Sequence, residues 1–141
     1  MRAILCKEYG PAETLVIEDV TSPVVKGHGV KVRVKAAGLN FPDTLIIEGK
    51  YQLKPTMPFS PGGEMSGEVI EVGEKVTRFK PGDRVAGLTG YGAFAEEVVV
   101  PEQNILPIPE SMSDEKAAAF SMVYGTSYYA LKQRANIQPG E

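Results

Sequence analysis

The sequence predicts a mainly β fold, a partly closed barrel of short strands carrying short peripheral helices. Three observations predict it. Eleven prolines and 15 glycines among 141 residues punctuate the chain at intervals too short for long helices and well suited to strands and turns. Residues 30–36, Val-Lys-Val-Arg-Val-Lys-Ala, alternate small apolar side chains with cations, the pattern of a strand with one dry and one wet face. Helical character is concentrated in the last third, where an Ala-rich run follows Ser111-Met112-Ser113-Asp114-Glu115. With 141 residues, 43% of them hydrophobic, the chain has the size of one ordinary domain and enough apolar mass for a core.

Taken in order, strands are expected at residues 2–7, 15–20, 30–36, 66–72, 84–88 and 95–100. Turn signals separate them at Lys26-Gly27-His28-Gly29, Pro61-Gly62-Gly63 and Lys80-Pro81-Gly82-Asp83, where glycine and proline supply the backbone angles a reversal needs. A short helix is expected directly after the strongest strand. Pro42 suits its first turn, Asn40 or Phe41 would stand just outside it, and Thr44-Leu45-Ile46-Ile47 gives it apolar mass. Towards the end, Ser111 to Glu115 supplies cap candidates and first-turn acids for a helix over residues 116–122. Gly125 is read as a break. Tyr128, Leu131 and Ala135 then share one face of a second helix, which Asn136-Ile137-Gln138-Pro139-Gly140 stops. No internal repeat or low-complexity tract is present.

The formal charge of −3, from 15 Lys+Arg against 18 Asp+Glu, offers no general attraction to nucleic acid or to an anionic membrane. No apolar run approaches the ~20 residues of a membrane span. The apolar stretch at the N-terminus is too short, and too soon closed by charge, for a signal peptide. A single cysteine, Cys6, excludes an internal disulfide, and a single histidine, His28, excludes a His-rich metal site. A soluble protein of the cytoplasm is the expectation.

The local motifs each admit a chemical and a structural reading. At the corner Asn40-Phe41-Pro42-Asp43-Thr44, an amide and a carboxylate could face a ligand. Helix capping, in which such side chains satisfy free backbone N–H groups, is the stronger reading from these residues alone. Glu64 and Glu68 are spaced to share a strand face. Acid–base work by the pair ranks below a reading as two solvated acids or as partners of Arg33 or Arg84. Gly90-Tyr91-Gly92-Ala93-Phe94-Ala95 has the spacing of a dinucleotide-binding loop. The β-rich, acidic Glu96-Glu97-Val98-Val99-Val100 follows where a helix N-terminus would have to open, so a turn between strands is expected. His28 reads as a surface turn residue, and Cys6 as a buried inert thiol with no cation to lower its pKa. The stretch Tyr124-Gly125-Thr126-Ser127-Tyr128-Tyr129 reads first as packed rings and second as a hydroxyl lining a cleft.

In combination and in order, five segments resemble the N-terminal half of the medium-chain dehydrogenase/reductase superfamily, in its zinc-independent quinone oxidoreductase (zeta-crystallin-like) branch. They are Ala36-Ala37-Gly38-Leu39-Asn40-Phe41-Pro42-Asp43, Pro61-Gly62-Gly63-Glu64-Met65-Ser66-Gly67, the run V-G-x-x-V-x-x-F-x-x-G-D-R-V from Val72 to Val85, Gly92-Ala93-Phe94-Ala95-Glu96, and Gly125-Thr126-Ser127-Tyr128. The resemblance implies a GroES-like, partly open β-barrel catalytic domain over residues 1–123. It also implies a connecting helix over residues 124–141, leading to a Rossmann domain that this chain lacks. The implied activity is reduction of a quinone or enone by hydride from NADPH, in a full-length homodimer. The main NADPH-binding surface would then lie outside this chain, leaving the chain inactive by itself.

Zinc-dependent members of the superfamily take a Cys where this chain has Asn40, a His where it has Gly63 and a third ligand near Met122, and they carry a Cys-rich structural-zinc lobe. The resemblance therefore implies a site with no zinc. Such a site suits a conjugated acceptor, which takes hydride without a Lewis acid, and the protein supplies proximity and alignment. By the same resemblance Asn40 is the catalytic amide. Asn40, Asp43 and Thr126 line the nicotinamide end of the cleft, and Tyr51 is a wall or donor for an aromatic acceptor. Several quinone reductases carry a Tyr two residues after the Asp and a hydroxyl residue before the Glu; Leu45 and Gly63 stand there in this sequence. An enoyl-thioester or alkenal substrate is the alternative within the same chemistry. A non-catalytic GroES-like binding module is the alternative from another class.

Overall fold

The computed structural model describes residues 1–141. The body is built from β1 (Arg2–Leu5), β2 (Val16–Asp19), β3 (Gly29–Gly38), β4 (Glu64–Val72), β5 (Arg84–Leu88), β6 (Glu97–Pro101) and β7 (Ile105–Pro107). Helix α1 (Phe41–Ile47) follows β3, and α2 (Asp114–Ala118) and α3 (Ser121–Tyr128) follow β7. A π-helical turn, Tyr129–Arg134, prolongs α3.

Every strand pairing is antiparallel. Five strands take the order β6-β3-β4-β5-β7, and β1 and β2 form a separate ribbon. Strands β6 and β7 are therefore edges, and the barrel is open. Bridges between Ala3 and Ala95 and between Cys6 and Phe59 dock the ribbon on the sheet. The parallel strand–helix alternation of a nucleotide-binding sheet does not occur in these residues. The fold is thus the mainly β, partly open GroES-like barrel with peripheral helices that the resemblance implies.

Strand β3 lies between β4 and β6 because its apolar residues serve a shared interior. Val30 and Val32 are fully buried and cluster with Met65, Val69, Val85, Ala93, Val98, Val100 and Ile105. Burying a Val, Ile or Met side chain contributes ~1.5–3 kcal/mol, so this cluster is the main cohesive element. The register of β3 on β4 slips between Lys31 and Val32 and again between Val34 and Ala36, irregularities that coil a sheet towards closure. A second cluster, Cys6, Ile46, Ile47 and Phe59, seats α1 beneath the β1 side. Helix α2 is tied down by polar contacts: Ser66 Oγ donates to the Asp114 carbonyl at 2.6 Å, and Arg84 Nη2 donates to Met112 O at 2.9 Å and Asp114 Oδ1 at 3.0 Å.

The structure departs from the sequence expectation in several places. Lys31 belongs by alternation to a wet face, yet it is only 9% exposed. Its stem is covered while Nζ reaches Glu71 at 2.7 Å, as long cationic side chains can do. The first strand stops at Leu5, and Cys6 bridges to Phe59 instead. Strand β7 was not anticipated: three residues ending in a proline carry too little alternation to register.

The helices also divide differently. The break falls at Ala119-Phe120, and α3 runs straight through Gly125, where an added Cβ would meet no other part of the fold within 4 Å. A glycine inside an exposed helix costs only ~1 kcal/mol and does not by itself end one. The rings of Tyr124, Tyr128 and Tyr129 are not packed into the core but stand 50–64% exposed, with Phe120 stacked on Tyr124 at 4.8 Å.

Candidate functional site

The site is the corner where β3 ends, β4 begins and α3 starts. Asn40 leaves β3 in an extended conformation (φ −127°, ψ 158°) and precedes α1, whose first turn holds Pro42. The corner has the capping-box arrangement that its residues suggest. Asp43 Oδ2 accepts the Asn40 N–H at 2.8 Å, and the Asn40 side chain faces the Asp43 N–H in return without closing a full hydrogen bond to it. The NH₂ end of the same side chain turns inward: Asn40 Nδ2 donates to Glu64 Oε1 at 2.8 Å.

Glu64, the first residue of β4, is 1% exposed. Its second oxygen, Oε2, accepts the Met122 N–H at 2.9 Å. One carboxylate therefore joins the loop after β3 to the first turn of α3. Glu64 is neither solvated nor a partner of Arg33 or Arg84, which corrects the expectation for the Glu64/Glu68 pair. Glu68 stays half-buried opposite Arg33 and Arg84 in the ladder, while Arg84 pairs with Asp114.

Asp43 is the second buried acid of the corner, 3% exposed. Burial pushes its carboxyl above the usual range. Donation from the Asn40, Gly63 and Gly62 N–H groups pulls it back, and the nearby Glu64 charge adds to the rise. Neither acid forms an ion pair. The turn that brings these N–H groups in depends on Gly62, whose φ of +100° and close approach to Phe94 leave no room for a side chain. A Cβ placed on Gly63 would lie 3.5 Å from Asp43 Oδ1 and 3.6 Å from Met122 Cε.

Asn40, Gly63 and Met122 thus come together in space around Asp43 and Glu64. The donors they offer are an amide, nothing and a thioether, and both carboxylates are engaged by N–H groups. No group of three or more His, Cys, Asp or Glu residues is placed to hold a metal ion. Such a set does not fit a zinc centre of thiolates and imidazole.

The other two candidate residues lie apart from this contact. Tyr51 is half-buried and packs on the Cys6, Ile46, Ile47 and Phe59 cluster. Thr126 stands exposed on α3, one turn beyond Met122, and makes no hydrogen bond to Asn40, Asp43 or Glu64. None of the principal surface grooves is lined by Asn40, Asp43 or Glu64. Those grooves therefore supply no walls for a small ligand at this corner.

Sequence reasoning singled out Glu64 but missed its role as the buried partner of Asn40 and Met122. Its signal was a carboxylate directly after two glycines, opposite Gly38 in the ladder, legible only once strand register is known. His28, Cys6 and the glycine turn at residues 90–95 behave as read. His28 is an exposed turn residue with Nδ1 2.9 Å from Glu102 Oε1. Cys6 is buried, and burial pushes its thiol pKa up. Residues 90–95 form a turn between β5 and β6 with Gly90 and Gly92 in positive φ, and no helix follows.

Comparison with known proteins matches residues 26–110 to the family described as Alcohol dehydrogenase GroES-like domain. The Quinone oxidoreductase-like protein 2 homolog of Nematostella vectensis is 49% identical over 142 residues, covering 99% of this chain and 38% of that protein. Among solved structures, the human synaptic vesicle membrane protein VAT-1 homolog-like protein superposes with a TM-score of 0.95 at 37% identity, over 99% of this chain and 45% of that one. The Escherichia coli quinone oxidoreductase complexed with NADPH superposes with a TM-score of 0.90 at 31% identity, over 100% of this chain and 43% of that one. The chain spans less than half the length of each.

Proposed function

Because the chain belongs to the alcohol dehydrogenase GroES-like domain family, we propose that it is the catalytic portion of a zinc-free reductase that moves hydride from NADPH to a quinone or similar conjugated carbonyl. The observation that carries this reading is the makeup of the corner. The positions that zinc-dependent relatives give to ligands hold Asn40, Gly63 and Met122, and the buried Glu64 takes its hydrogen bonds from Asn40 and Met122.

Bound NADPH would supply the hydride; overall, NADPH, a quinone and one proton give NADP⁺ and a hydroquinone. The chain's own part is binding and alignment. Asn40 is half-buried at the mouth of the corner and offers an amide to the nicotinamide or the acceptor. Asp43 sets the backbone of residue 40 by accepting its N–H, with the Gly62 and Gly63 N–H groups close enough to favour its charged form. Thr126, exposed on α3, and Tyr51, at the edge of the second cluster, would complete the walls. No side chain here is an obvious proton donor, so the final proton is assigned to water.

A ligand site at this corner needs further walls, and residues 124–141 are read as the connection to a nucleotide-binding domain that provides them. The apolar exposure of Val123, Tyr124, Tyr128 and Leu131 supports that reading. The whole protein is proposed to work as a cytoplasmic homodimer on small molecules. No helix here is long and apolar enough to cross a membrane.

The test is turnover of NADPH with a small quinone by the full-length protein, with and without a strong chelator. Equal rates are expected, and loss of activity on chelation would overturn the zinc-free assignment. No turnover with quinones, but turnover with an enoyl thioester or alkenal, would replace the acceptor and keep the chemistry.

A further inference from the structure

Building on the reductase reading, we propose that Glu64 is the positioning residue of the site: its buried carboxylate fixes which way the Asn40 amide faces, so that Asn40 offers its carbonyl oxygen to an N–H or O–H of the bound ligand. The amide's orientation follows from donor chemistry. Glu64 Oε1 lies 2.8 Å from the Asn40 amide and Oε2 lies 2.9 Å from the Met122 N–H. A carboxylate is an acceptor at both oxygens, so the NH₂ end of Asn40 must face it. Oδ1 diverges from Nδ2 across Cγ and is therefore turned away from Glu64. The opposite amide orientation would set two acceptors face to face in a buried place, with no hydrogen between them.

The arrangement is built rather than incidental. Glu64 is 1% exposed, whereas Asn40 is half-buried, so the fixed partner lies inside, and the Asn40 oxygen, which faces the Asp43 N–H without a full hydrogen bond, keeps acceptor capacity for a ligand. Gly38 faces Glu64 in the β3–β4 ladder, and a Cβ there would fall 2.2 Å from Glu64 Oε1. The cradle for this carboxylate is thus the absence of a side chain at position 38. No buried side-chain polar atom lacks a partner. Through the Met122 N–H, the same carboxylate also sets the start of α3, the helix that carries Thr126. Asn40 and Thr126, which touch neither each other nor a common side chain by hydrogen bond, therefore share one anchor.

The decisive experiment is a double-mutant cycle in the full-length protein. Glu64→Gln preserves shape but presents one acceptor oxygen to two donors, so it releases or turns over the Asn40 amide. Glu64→Gln is expected to lower kcat/KM roughly 5- to 100-fold, measured well below the unfolding temperature of each variant. In an Asn40→Ala background the same substitution is expected to change kcat/KM by less than about twofold, because Glu64 acts through Asn40. An undiminished effect in that background overturns the proposal.

A second arm does not depend on turnover. In the ¹H–¹⁵N spectrum, one Asn40 side-chain amide proton is expected downfield and protected from exchange, and Glu64→Gln is expected to move it upfield and expose it. An Asn40 amide indifferent to Glu64→Gln overturns the positioning role. A Glu64-dependent Asn40 amide in a protein that turns over neither quinones nor enoyl thioesters or alkenals overturns the reductase reading and leaves the positioning role standing.

Discussion

Replacing Asn40 by Ala tests what its amide is for. The Asp43 half of the capping box survives, because Asp43 Oδ2 still accepts the N–H of residue 40. What is lost inside the fold is one donor to Glu64, a cost of ~1–3 kcal/mol. Turnover of the full-length protein should fall further, roughly 100- to 1000-fold, the scale for losing a group that is aimed at the reacting atoms. Steady-state kinetics and urea unfolding of the same variant compare the two losses, and matching losses would return Asn40 to a purely structural role. Far from this corner, Glu102 binds three segments together. It accepts from the His28 ring and from the Thr77 and Arg78 N–H groups, which hold its carboxyl below the ordinary 4.5. A lowered folded-state pKa means that the stabilisation is present above the unfolded value and disappears as pH falls through the folded one. Glu102→Gln should therefore lower the urea midpoint at pH ~7, and the deficit should shrink below pH ~4. A pH-independent deficit would show that the lost contacts do not depend on the charge.

Helix α3 shows how an element escapes local reading. Gly125 looks like a break, but the helix continues through it, and the actual interruption, Ala119-Phe120, directly precedes α3, whose second residue donates its N–H to Glu64. Gly125 has ordinary helical φ and open space around its Cα. Gly125→Ala in this chain is expected to stabilise by ~0.4–1 kcal/mol, by lowering the entropy of the unfolded state without a clash. A fall in the thermal midpoint would mean that α3 is not helical at that position. The strands were far more legible, since period-two alternation and Gly/Pro turns are local properties. Strand β7 was not, because residues 105–107 pair with β5 through position in the sheet and not through pattern.

At the scale of the whole molecule, the candidate corner adjoins α3 and the π-helical turn that prolongs it, where Val123, Tyr124, Tyr128 and Leu131 form an exposed apolar strip. The expectation is that these 141 residues bind NADPH only weakly, because the helix N-terminus and glycine loop that cradle a pyrophosphate are not among their elements. Calorimetry reads this directly, and a micromolar dissociation constant would show that the chain carries a cofactor site of its own.

The sequence by itself determined the class of fold, the place of the Asn40 corner and the residue types available there, because alternation, turn chemistry and side-chain donors are written locally. It could not determine that Glu64 is buried or whom it serves. That depended on β3 and β4 meeting with Gly38 opposite Glu64, and on α3 starting at Ser121, so that one carboxylate finds two N–H donors from distant parts of the chain. Hydrogen-bond partners separated by 24 and 58 residues are chosen by register and packing, and only the tertiary structure specifies those.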